Sequence, residues 1–270
     1  MTQILGNQKQ GLFFEIVSAR ISDEQDVGKR HVIYTIQVRF ISSSDDLKPA
    51  AIDRRYTQFL NLYNGLKKDE PQLMANITFP KKKLFGNFDN DLITQRSTEF
   101  QTFLNYVSSE SKLRFSNAML VFLQENELAK AKSYLELKNY TEAAALLEQN
   151  FILLNKVFTD RSAPVLIALC RLLGCCIHIP NMPNAYKWGQ LALHRFEGVS
   201  DSDLLELYVP LVYSCIRVWQ HYEKEQTKLE DQLLLLKRQG ISIANNGDLL
   251  EEVNKVEKNI FHVTTEVLPI

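Results

Sequence analysis

Residues 53–66 read D-R-R-Y-T-Q-F-L-N-L-Y-N-G-L, and this stretch restricts the fold more than any other in the chain. It begins as the end of a strand and continues directly as an amphipathic helix. Phe59, Leu62, Tyr63 and Leu66 recur at the three- and four-residue spacing of one buried face. Arg54, Arg55 and Tyr56 stand at the junction. A guanidinium beside a helix N-terminus suits a phosphate: its fork makes two parallel charged hydrogen bonds, and the helix end favours negative charge. The neighbouring aromatic offers a flat wall for a sugar or inositol ring. Taken alone, the stretch reads more readily as a solvated strand end with Tyr56 in the core.

A second stretch shifts that balance. Residues 79–88 read F-P-K-K-K-L-F-G-N-F. Pro80 opens a loop, Lys81, Lys82 and Lys83 follow, and Leu84, Phe85 and Phe88 surround Gly86. Basic residues beside a short apolar tip suit an anionic lipid surface, with charge at the headgroups and rings below them. Residues 91–104 then read as a further amphipathic helix with Leu92, Phe100, Phe103 and Leu104, and Val107 beyond, facing inward and Arg96 near its first turns. Three cationic features thus flank one expected pocket.

Strands are expected at residues 11–21, 31–41 and roughly 50–55, with polar connections at Ser22–Lys29 and Ser42–Pro49. The middle one is the clearest, β-branched and aromatic with Thr35, Gln37 and Arg39 alternating outward. A three-stranded antiparallel sheet followed by helices is an α+β unit, closed by a helix at about Asn117–Gln124. From Asn126 on no strand is expected. One helix pair is expected over residues 127–158, with Ala129, Tyr134 and Leu135 packing in the first helix and Ala143, Leu146, Leu147 and Phe151 in the second. Further helix is expected over 204–236 and 249–267, with breaks at Gly240 and Asn245-Asn246-Gly247. Small residues (Ala131, Ala143, Gly174, Ala185, Ala192) near the turns let paired helices approach closely, as in a degenerate helical repeat.

The order R-R-Y-x-x-F-x-x-L, proline loop with lysines, then x-x-R-x-x-x-F-x-x-F-L over about residues 11–125 resembles a phox-homology (PX) domain. That resemblance implies a phosphoinositide site in which Arg55 holds the 3-phosphate and Tyr56 packs against the inositol ring. Lys82 meets the 1-phosphate and Arg96 contacts ring hydroxyls. A one-residue shift would select Lys81 or Lys83 instead, and Arg54 is a further candidate phosphate contact. Leu84, Phe85 and Phe88 are the expected membrane-inserting residues. The usual proline pair of the loop is reduced here to Phe79-Pro80. A PX domain followed at 127–270 by an all-helical, tetratricopeptide-like (PXB) domain resembles the sorting nexin subgroup that includes sorting nexins 20 and 21. What that implies is a peripheral adaptor in endosomal sorting: the PX domain binds phosphatidylinositol 3-phosphate on early endosome membranes, and the helical domain recruits an unidentified protein partner.

Net charge is −1 across 270 residues, so a basic site must be local and nucleic acid is not an expected partner. No leader, myristoylation site or membrane-spanning run is expected. Cys170, Cys175, Cys176 and Cys215 lie in apolar helical surroundings and read as buried thiols of a cytoplasmic protein, neither a disulfide frame nor a zinc site. No phosphate loop, dinucleotide fingerprint or nucleophile elbow occurs, and the five histidines lack metal-ligand spacing. Neither enzyme nor cofactor nor metal site is therefore expected. A dimeric membrane-bending (BAR) arrangement needs long heptad helices, which Pro164, Pro180, Pro183 and Pro210 interrupt, so a monomer is expected. The competing reading is a cytosolic scaffold whose basic pocket meets an acidic peptide. Tyr186, Trp188 and Tyr222 are read as core aromatics before partner anchors.

Overall fold

The computed structural model of the chain describes residues 11–22, 30–40, 50–83, 85–199, 202–244 and 247–261. Leu84, both expected polar connections apart from Ser22, and residues 245–246 and 262–267 of the expected C-terminal break and helix lie outside them. The described chain divides into two compact units, Met1–Gln124 and Glu125–Ile270.

In the first unit β1 (Leu12–Ile21), β2 (Val32–Phe40) and β3 (Ala50–Arg55) pair antiparallel in the order β1-β2-β3. Val32, Tyr34, Ile36 and Val38 alternate into the core, as the period-two pattern requires. A register shift between Ile16 and Ser18 bulges β1. Two side chains of α2 (Asn90–Ser109) act as a surrogate strand on the free edge of β1. Asn105 accepts from Phe14 N at 2.9 Å and donates to its carbonyl at 2.8 Å, while Gln101 accepts from Ile16 N at 3.0 Å. This satisfies edge groups that would otherwise invite another strand.

β3 runs directly into α1 (Tyr56–Asp69), whose buried face is Phe59, Leu62 and Leu66. α2 buries Leu92, Arg96, Phe100, Phe103, Leu104 and Val107 along one stripe. Phe59 and Phe100 stack at 3.8 Å between these helices, with Tyr34 of β2 edge-on to both. The short α3 (Ser111–Arg114) leads to α4 (Asn117–Glu136). Here the structure corrects the expected boundary. The helix expected to close at Gln124 and the one expected from Glu127 are a single helix, because Glu125 and Asn126 contain neither proline nor glycine to end it.

The second unit continues with α5 (Tyr140–Val157), α6 (Ala163–Ile177), α7 (Ala185–Phe196), α8 (Ser202–Leu205), α9 (Tyr208–His221), α10 (Thr227–Arg238) and α11 (Leu249–Phe261). Ala131, Ala143, Ala185 and Ala192 are fully buried, as the repeat-like reading of their small side chains requires. Ala129, expected inward, is exposed; Leu128 and Ala131 take the buried positions of that helix. Gly189 serves the same purpose without having been singled out: a Cβ there would stand 2.8 Å from the Trp219 ring and 3.2 Å from the Cys215 sulfur. The expected helix over 204–236 is three helices, broken after His221 where Glu223 takes a left-handed φ of 51°. All four cysteines are buried and unpaired, and burial pushes Cys170, Cys175 and Cys176 up to about 12. His178 bonds Asp248 at 3.0 Å and stacks on Tyr140, which makes it a packing residue. Trp188 is buried, and the half-buried Tyr222 donates to the Met182 carbonyl at 2.8 Å.

Candidate functional site: a basic pocket at the β3–α1 junction

β3 alternates, and this separates the two arginines. Arg54 shares the inward parity of Ala50 and Ile52 and is 1% exposed. Its Nε donates to the Phe122 carbonyl at 2.6 Å, and its Nη1 donates to the Asp53 carbonyl at 2.7 Å. Arg54, expected as an additional phosphate contact, is therefore a core residue whose charge is satisfied by main-chain oxygens. Arg55 has the opposite parity, is exposed, and lines a pocket of about 660 Å³. Its backbone N–H is held by Gln58 Oε1 at 3.0 Å at the start of α1.

The loop of residues 79–89 forms the opposite wall, and aromatic packing fixes it. Phe79, at the place of the first proline of the usual pair, stacks on Tyr63 at 4.8 Å and contacts Tyr56, Phe100 and Phe103. The Tyr56 hydroxyl donates to the Pro80 carbonyl at 2.7 Å. Burial pushes this hydroxyl above its ordinary pKa, against the positive charge of Arg96, whose guanidinium lies 4.4 Å over the ring.

Arg96 is 3% exposed and holds the loop in place: Nη1 donates to Asn87 Oδ1 at 3.1 Å and Nη2 to the Lys81 carbonyl at 3.2 Å. Asn87 in turn donates to the Lys83 carbonyl at 2.9 Å. Gly86 turns the loop with a φ of 72°, where a side chain would also strike the Asp89 carboxylate.

Arg55, Tyr56, Lys82, Lys83 and Arg96 all line the pocket. Lys81 is exposed and contributes its carbonyl to Arg96; its side chain is not part of the described lining. Phe85 also lines the pocket and projects from its rim, 87% exposed, and Phe88 is 41% exposed. Seven lining residues were not among the expected site residues: Arg30, His31, Val32, Tyr34, Thr57, Gly86 and Asn87. Ile33 pairs with Arg55, so Arg30 and His31 fall just past the strand pairing, beside the first turn of α1. The strand boundary was legible in the sequence, but this antiparallel register was not. No carboxylate lines the pocket among the described residues. The arrangement can accept an anion on several sides at once.

Residues 42–126 match the PX domain family. Sorting nexin-20 of Rattus norvegicus is 31% identical over 222 residues, covering 82% of this chain and 69% of that protein. The chain belongs to the PX-domain sorting nexins. Within them it is of the sorting nexin-20 and -21 type: human sorting nexin-21 is 29% identical over 235 residues, covering 86% of this chain and 61% of that one. A third relative, the serine/threonine-protein kinase Sgk3 of Rattus norvegicus, is 34% identical over 110 residues, covering 40% of this chain and 21% of the kinase. As a PX sorting nexin the chain is a membrane-trafficking adaptor. Among its described residues no helix is long and apolar enough to cross a membrane.

Proposed function

We propose that residues 11–125 form a PX module that reads phosphatidylinositol 3-phosphate, and that residues 127–270 form a helical module that holds a protein partner. Arg55 takes the 3-phosphate through its fork. Lys82 takes the 1-phosphate, with Lys83 beside it in the pocket wall. Tyr56 stands against the inositol ring. Arg96 completes the site by holding the loop, with its two terminal nitrogens already engaged, and meets ring hydroxyls from that position.

Phe85 and Phe88, with Leu84 between the lysines and Phe85, enter the lipid interface while the lysines stay at headgroup level. The protein works without catalysis or cofactor, as a monomer peripheral to the early endosome membrane. One headgroup gives modest affinity, so the partner of the helical module adds avidity.

The convergence of Arg55, Lys82 and Arg96 on one pocket with no carboxylate among its described lining residues supports this reading. Co-sedimentation with vesicles containing each phosphoinositide tests it. Wild type is expected to pellet with phosphatidylinositol 3-phosphate, and Arg55→Gln to stay in the supernatant with an unchanged circular dichroism spectrum. If neither protein prefers any phosphoinositide, the acidic-peptide reading of the pocket takes over, and equal pelleting of both with phosphatidylinositol 3-phosphate would move lipid binding away from Arg55.

A further inference from the structure

The pocket holds more cation than a singly phosphorylated inositol ring requires. Such a headgroup presents two phosphates, a diester and one monoester that carries roughly −1.5 to −2. Arg55 and Lys82 answer these two in the reading above, on which this inference rests. Arg96 has two of its nitrogens committed to Asn87 and to the Lys81 carbonyl. Arg30 remains. It lies just before β2, whose Ile33 pairs with Arg55, lines the same pocket, and is solvent-exposed. No carboxylate pairs with it among the described residues. Its guanidinium instead lies 5.3 Å over the ring of Phe88, the aromatic at the foot of the membrane loop.

An exposed cation–π contact is weak. A charge-assisted hydrogen bond to a phosphate is roughly twice as strong as a neutral one. A phosphate within reach therefore draws Arg30 off the ring. We propose that Arg30 is a second-phosphate subsite, so that the pocket prefers a headgroup carrying two ring phosphates over one carrying the 3-phosphate alone. Arg30 is thus a specificity-determining residue, while Arg55 remains the residue on which all headgroup binding depends.

Soluble headgroups separate this subsite from any effect of Arg30 on insertion of Phe88. Calorimetric titrations would compare inositol 1,3-bisphosphate with inositol 1,3,4- and 1,3,5-trisphosphate, on wild type, Arg30→Ala, Arg30→Lys and Arg55→Gln. Wild type is expected to bind at least one trisphosphate about tenfold more tightly than the bisphosphate. Arg30→Ala should cost the trisphosphate several-fold more affinity than the bisphosphate and so remove most of that difference, and Arg30→Lys should retain part of it. Vesicles carrying the same headgroups must give the same ranking if the ligand is a lipid; a preference seen only with free inositol phosphates would overturn the lipid form of the proposal. Arg55-dependent bisphosphate binding with no gain from a further phosphate, or an equal loss for all headgroups in Arg30→Ala, would overturn the subsite alone. Absence of all headgroup binding to folded wild type would overturn the lipid-reading function itself.

Discussion

Two adjacent arginines, Arg54 and Arg55, carry most of what is instructive here at the residue scale. Both read from the sequence as phosphate contacts. Only the pleat of β3 tells them apart, by turning one inward and the other to the pocket. The parity was legible in the sequence; the carbonyl that receives Arg54 was not, because Phe122 lies 68 residues further on. The two positions should therefore behave oppositely. Arg54→Ala removes a charged donor from a buried carbonyl and is expected to lower stability by about 1.5–3 kcal/mol. The folded fraction should still bind vesicles. Urea unfolding monitored by tryptophan-independent circular dichroism measures the first expectation, and a midpoint equal to wild type would show that Arg54 has no core role. Arg30 was invisible for a related reason, since it reaches the pocket through the pairing of β2 with β3.

At the scale of elements, ring packing and hydrogen bonds frame the described residues of the loop 79–89, and Phe85 is exposed. Phe79, Tyr56, Asn87 and Arg96 hold the frame, and Phe85 projects from it. The lysine run and the apolar tip were plain in the sequence. The frame was not, because it depends on ring packing and on main-chain carbonyls. Headgroup capture and membrane insertion should therefore separate. Phe85→Ser combined with Phe88→Ser is expected to weaken vesicle binding about tenfold or more, while soluble inositol 1,3-bisphosphate binds as in wild type. Surface plasmon resonance on supported bilayers beside calorimetry reads the two; parallel losses would mean that the rings shape the pocket itself. Helix ends were less legible. The continuity of α4 across Glu125-Asn126 and the break at Glu223 both occur where no strong stop signal stands in the sequence.

At the scale of the whole molecule, each unit has its own determinant. In the second, the Glu257 carboxylate of α11 is 8% exposed and meets Arg171 of α6 at 2.8 Å and Lys132 of α4 at 3.1 Å. Burial pushes its pKa up, but the two cations outweigh this and hold it below the usual carboxylate value. A lowered folded-state pKa means stabilisation that is fully present above the unfolded value of about 4.3 and lost as pH falls through the folded one. Wild type should lose stability on acidification below about pH 4.3, and Glu257→Gln, already destabilised by an unpaired buried Arg171, should lose less over the same range. Chemical denaturation across that range measures the difference, and parallel curves would remove Glu257 from the acid response.

The first unit's determinant is the pocket, and the most direct test is a crystal structure of the protein with a short-chain phosphatidylinositol 3-phosphate. The expected result places the 3-phosphate on the Arg55 fork and the 1-phosphate at Lys82 or Lys83, with Arg54 still bonded to the Phe122 carbonyl. A headgroup bound elsewhere, or bound in the pocket with Arg55 turned to solvent, would contradict the assignment of this junction as the lipid site.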